Sequence, residues 1–131
     1  MLDHIKSIDE LEKEALSIDK FLNITCSEDA NEAVERGNDL QVYIARTGKM
    51  LADAKYWQDL AIRQNMSQNI KDNPGLSPSI RKDYVNSLCQ YENFMVTWID
   101  RMNRAATHQS EWLRTVISKA KAEIQQTPKY G

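Results

Sequence analysis

The sequence is short of the residues that punctuate a chain. Four Gly and three Pro in 131 residues leave few places where a helix must stop, so the longest uninterrupted helical registers decide the shape. Two cysteines, Cys26 and Cys89, stand far apart without metal-ligand spacing and read as reduced, buried, small hydrophobes. No stretch approaches the about 20 apolar residues that span a bilayer. Met1 to Lys6 has neither a basic start nor an apolar run, so no secretory leader is expected there. Together these absences point to the cytoplasm, without a membrane partner. The Asn23-Ile24-Thr25 and Asn65-Met66-Ser67 triplets match a glycosylation pattern that has meaning only in a secreted chain.

Charge of one sign is lacking too. A formal net charge of −2 argues against a general nucleic-acid ligand, which calls for a strong basic excess. The near balance hides an asymmetry. Residues 1–35 carry three Lys against ten Asp and Glu, whereas residues 101–121 carry Arg101, Arg104, Arg114, Lys119 and Lys121 against Glu111 alone.

What is present is helical periodicity. Leu2, Ile5, Ile8, Leu11, Ala15, Ile18 and Leu22 fall at steps of three or four, one stripe of a first helix. Asn23 to Asp29 interrupts it, and Thr25 with Glu28 forms a possible capping box for the next helix. From 28 to 69 no proline appears, and Ala33, Leu40, Tyr43, Ile44, Met50, Leu51, Ala54, Trp57 and Ala61 continue an apolar face. Gly37 and Gly48 are its weak points, with a bend, a close approach or a break open at either, a break more readily near Gly37.

Pro74-Gly75 followed by Ser77-Pro78 is a turn and then a capped helix start. The spacing predicts one unbroken helix over 78–126, ended by Thr127-Pro128. Its expected buried face is Ile80, Tyr84, Leu88, Tyr91, Met95, Trp98, Met102, Ala105, Trp112, Val116 and Ala120. The fold expected is all-α: a long antiparallel helical hairpin of 28–69 and 78–126 with the N-terminal helix alongside, a three-helix, coiled-coil-like bundle. It forms a single domain over 1–131, with 127–131 a short C-terminal tail. Long thin helices leave apolar surface bare, so a homo-oligomer is expected.

Motifs that carry chemistry are missing. There is no phosphate-binding Gly loop, no His-Glu-x-x-His and no Cys-x-x-Cys. Neither His4 nor His108 follows a Glu by three residues, which removes the helical di-iron pattern. The expectation is a protein that is not an enzyme and needs no cofactor or metal.

Two constellations remain. At 100° per residue Thr97, Arg101, Arg104, His108, Thr115 and Lys119 share about a third of the last helix's circumference. Guanidinium forks beside an imidazole and hydroxyls suit the oxygens of an anionic small ligand, such as a nucleotide, a cyclic nucleotide signal or a nucleic-acid backbone. The competing reading pairs the stripe with Glu10, Glu12, Glu14 and Asp19 of the acidic segment, within the folded bundle or across a dimer. Beside it Gln109 reads as a buried amide that sets helix register or partner. The aromatics Tyr56, Trp57, Trp98 and Trp112 are core or interface anchors, with core favoured for Trp57 beside Lys55 and Gln58.

Leu76-Ser77-Pro78-Ser79, Tyr91 to Phe94, Trp98 to Arg104, Thr107-His108-Gln109 and Leu113 to Ser118, with Met50 to Tyr56 upstream, resemble uncharacterised small helical proteins encoded by bacteriophages and prophages. The resemblance covers about the last two thirds of the chain and carries no activity or binding residue with it. It implies a bacterial host cell and an accessory role: a helical interaction or adaptor protein, or a ligand-binding module acting in counter-defence.

Overall fold

The computed structural model describes residues 3–126. Leu2 of the first stripe, the stop at Thr127-Pro128 and the 127–131 tail lie outside the described residues. Among the described residues the chain is all-α, with four helices.

Helix α1 spans Ile8–Leu22. Ser7 caps it, its hydroxyl accepting from the Glu10 backbone N–H at 3.3 Å, and Asp9 and Glu10 lie at the positive end of the dipole. Leu11, Ala15, Ile18 and Leu22 are its buried stripe, as their spacing predicts. Helix α2 spans Ala30–Asp72. Its cap is Asp29, which accepts from Glu32 N–H at 3.1 Å, so the Thr25/Glu28 box is not used. A short charged carboxylate next to the first turn satisfies an open N–H and opposes the dipole as well.

The helix does not break at Gly37 or at Gly48. Each glycine costs about 1 kcal/mol in a helix interior, a penalty outweighed by packing along the rest of this 43-residue element. Close approach is not the reason for either glycine, since nothing lies within 4 Å of where a Cβ would stand.

Helix α3 spans Pro78–Leu88, capped by Ser77 with Pro78 in its first turn. The unbroken helix expected over 78–126 is interrupted at Cys89, and α4 spans Gln90–Gln126. Cys89 N–H bonds the Asn86 carbonyl at 3.1 Å, a tight three-residue closure in place of the α-helical one. The break falls where the Cys89 thiol is fully buried against α2, accepting from Asn65 Nδ2 at 3.7 Å.

Helices α2 and α4 form the principal pair. Their polar cross-links run in opposite sequence directions: Gln41 to Ser110 at 3.0 Å, Thr47 to Asn103 at 2.9 Å, Gln58 to Asn93 at 2.8 Å. The pair is therefore antiparallel, and Asn69 to Arg81 at 3.0 Å extends the series into α3. Met50, Ala54, Met95, Ile99, Met102 and Ala106 join the buried α1 residues in one core.

α1 lies alongside the middle of that pair. Trp57 Nε1 donates to Lys6 O at 2.7 Å and Tyr91 Oη to Glu12 at 2.7 Å near its start, while Gln109 Nε2 donates to Leu22 O at 2.8 Å at its end. These limits correct the expected buried face of the last helix. Ile80, Tyr84 and Leu88 are exposed because α1 packs on α2 and α4 rather than on α3, and Tyr91 remains exposed beside its Glu12 contact. Trp112 is exposed because α1 ends opposite Gln109.

Candidate functional site

The cationic stripe of α4 lies on the surface as its spacing predicts. Arg101, Arg104, His108, Thr115 and Lys119 are all exposed, as is Thr97. Arg104 Nη2 meets Asp100 Oδ2 at 3.1 Å, and His108 Nδ1 lies 3.7 Å from Glu111 Oε2. Thr115 donates to the Glu111 carbonyl at 3.3 Å. Two shallow grooves divide the stripe. Thr97 and Arg104 border one with Lys55 and Asp100, while Thr115 and Lys119 border another with Glu28, Trp112 and Glu123. Arg101 and Lys119 are about 27 Å apart along the helix at 1.5 Å per residue. The structure thus sets Arg104, His108 and Lys119 near carboxylates and does not gather the stripe around one point.

Within the protomer the acidic N-terminal segment pairs elsewhere than with this stripe. Glu14 binds Arg46 of α2 and Lys6, Glu12 accepts from Tyr91, and Asp19 accepts from Asn23. The Glu10 backbone N–H bonds the Ser7 cap. The physical reason is the placement of α1 between α2 and the Tyr91–Gln109 side of α4, whereas the stripe faces away from it. The Arg46 hydrogen bonds, with Lys6, hold the Glu14 carboxyl down at about 2 against the desolvation that opposes them. Glu12 and burial push the Tyr91 phenol up to about 12.

The singled-out aromatics divide. Trp57 is half-buried against the core and meets Tyr56 edge to face at 5.1 Å. Trp98 is half-buried and stacks on exposed Phe94 at 5.6 Å. Trp112 stands half in solvent.

The buried polar groups are mostly ones that periodicity does not reveal. Gln109 is a junction: its Oε1 accepts from Arg36 Nη2 at 2.8 Å, and Arg36 also reaches the Ile24 carbonyl at 3.0 Å. The Arg36 guanidinium lies 3.9 Å above the Phe21 ring. Asp53, buried, accepts from Lys49 and from the Lys6 backbone N–H at 3.2 Å, while Lys49 also donates to the His4 carbonyl at 2.7 Å. These groups tie the segment before α1 and the α1–α2 connection to the long pair, which is structural work. Among the described residues no cluster of His, Cys, Asp and Glu is arranged to hold a metal ion, and no helix is long and apolar enough to cross a membrane.

Several large apolar side chains stand exposed. Ile80, Tyr84 and Leu88 of α3, with Tyr91 and Phe94 at the start of α4, form an exposed run beyond the end of α1. Sequence periodicity identifies this run as an apolar stripe, while its exposure depends on where α1 packs. No family model, curated protein or solved structure matches the chain.

Proposed function

We propose that this protein is a non-enzymatic, oligomeric helical interaction protein. Its three-layer, coiled-coil-like arrangement acts as a rigid rod that presents binding faces along its sides. The observation that carries this reading is the run Ile80, Tyr84, Leu88, Tyr91 and Phe94, all at least 41% exposed. Single exposed apolar residues need no explanation, but a run of them over α3 and the start of α4 marks an interaction site. Supporting it, the polar cross-links between α2 and α4 satisfy the rod internally, so its outer faces remain for other molecules. The segments that resemble phage and prophage helical proteins favour an accessory role of this kind in a bacterial cytoplasm.

Binding of a small anion by Arg101, Arg104, His108, Thr115 and Lys119 is less well supported, because Asp100, Glu111 and Glu28 stand beside these groups. Light scattering on the purified chain at micromolar concentration tests the leading reading. The expected result is a mass above that of one chain, and a strictly monomeric mass would remove its oligomeric part.

A further inference from the structure

The groove at the start of α1 differs in charge from the two along the α4 stripe. Those two set cations beside carboxylates, Arg104 with Asp100 and Lys119 with Glu28. The third, about 330 Å³ between the starts of α1 and α4 and the middle of α2, has Ile8, Trp57, Leu60 and Ala61 as apolar walls, Gln64 and Glu92 at its polar positions, and no cation. Its walls are fixed in advance. Trp57 Nε1 donates to Lys6 O at 2.7 Å, and Tyr56 meets the indole edge to face, so the ring is held in position before any ligand arrives.

Glu92 is half-buried and has no hydrogen-bond or ion-pair partner among the described residues. Cations near the start of α1 are engaged elsewhere: Lys6 and Arg46 hold Glu14, and Lys49 holds Asp53. Glu92 also stands among charges of its own sign. The Tyr91 phenol is pushed up to about 12 by its bond to Glu12, by burial, and then by the charges of Glu12, Asp9 and Glu92, so three carboxylates act on one oxygen. A carboxylate that is partly desolvated, unpaired and repelled by its neighbours calls for a cation.

The walls decide which cation. A metal ion takes several ligands at once, and among the described residues no such cluster is present. Apolar walls instead call for an apolar body. An ammonium at Glu92 makes a charge-assisted hydrogen bond, the Trp57 ring adds cation–π attraction, and the Gln64 carbonyl is a second acceptor. The volume lies at the small end of ligand sites, which run from about 300 to 1,000 Å³, and so fits a single ring or a branched alkyl group.

We propose that this groove binds a small organic cation, its ammonium at Glu92 and its apolar body against Trp57, Leu60 and Ala61. The proposal is independent of the oligomeric reading, which rests on the Ile80–Phe94 run.

Isothermal titration calorimetry of the full chain with three probes tests it: 2-phenylethylammonium, its uncharged counterpart 2-phenylethanol, and ethylammonium, which keeps the charge and lacks the ring. The first should bind at one site per chain, and the other two at least about tenfold more weakly. Glu92→Gln lies outside the core and should bring phenylethylammonium and phenylethanol to within about twofold of each other. Ala61→Leu fills the groove and should abolish binding of both, with circular dichroism verifying helicity. Equal affinity of the wild type for phenylethanol overturns the cationic class of ligand. Equal affinity for ethylammonium reduces the contact to surface ion pairing and overturns the groove. A preference for the cation that survives Glu92→Gln places the amine at another carboxylate and overturns the assignment, as does a wild type that shows no binding of phenylethylammonium at millimolar concentration.

Discussion

Glu14 on α1 grips Arg46 on α2 through two parallel hydrogen bonds, Nε to Oε1 at 2.7 Å and Nη2 to Oε2 at 2.8 Å. This bidentate fork is the strong form of an ion pair, and Lys6 adds a third bond at 2.7 Å to the same carboxylate. Only 21% of the Glu14 side chain is exposed, so solvent screens it less than it would a surface pair.

Acid sensitivity follows from that fork. The Glu14 carboxyl titrates at about 2 in the folded chain against an ordinary 4.5. A depressed carboxyl contributes stability above its unfolded value and loses it as pH falls through the folded one. The contribution should therefore be complete at neutral pH and disappear between about pH 5 and pH 2. Glu14→Gln should destabilise the chain by roughly 1–2 kcal/mol at neutral pH. Urea unfolding at stepped pH checks this: the wild-type and variant curves should converge at the acid end, and parallel curves would refute it.

The two interior glycines of α2 should be improvable. Gly48 is exposed, Gly37 is half-buried, both are helical without positive φ, and a Cβ at either meets nothing within 4 Å. Replacing glycine by alanine lowers the entropy of the unfolded chain at no steric cost. Gly48→Ala should add about 0.5–1 kcal/mol and raise Tm by roughly 3 °C. Gly37→Ala should do the same, and the two should add, being about 16 Å apart along the helix. A loss of stability by thermal melting in either variant would mean that the helix needs glycine there.

How far the sequence discloses this structure varies by element. Leu11, Ala15, Ile18 and Leu22 repeat so regularly that the stripe of α1 is legible, and Ser77-Pro78 announces α3. The break at Cys89 has no Gly or Pro to signal it, and it falls where the thiol packs against a residue 24 positions away in sequence. The exposure of Ile80, Tyr84 and Leu88 is hidden for a similar reason. Periodicity shows that a stripe exists, but the neighbour that would cover it is set by where α1 packs and how the chain pairs. Gln109 is legible as a register-setting amide. Its partner Arg36 is not, since contact between residues 73 apart depends on tertiary register.

The thiols should react at different rates. Cys26 is half-buried beside Gln109, whereas Cys89 is fully buried and its burial pushes the thiol pKa up. The thiolate is the reactive form, so both access and ionisation disfavour Cys89. A native-state thiol titration should show one fast equivalent per chain, abolished by Cys26→Ser, and a slow one released on unfolding. Two equally fast equivalents would mean that the α3–α4 break opens readily.

The Gln109 junction should be the most sensitive polar site in the molecule. Its amide serves two elements at once, accepting from Arg36 of α2 and donating to the carbonyl that ends α1. The Arg36 Nε is already buried without a hydrogen-bond partner, so that guanidinium has little to spare. Gln109→Leu removes the acceptor and strands the Leu22 carbonyl, and should cost about 2–4 kcal/mol, more than the loss of an ordinary hydrogen bond. Arg36→Met alone should cost less, because it removes the charge that needs pairing. In the double variant the two losses should fall short of their sum by more than about 1 kcal/mol, the signature of residues that act through each other. Strict additivity in urea denaturation would instead show that Gln109 serves only the α1 terminus and that Arg36 is held by the Phe21 ring and the Ile24 carbonyl.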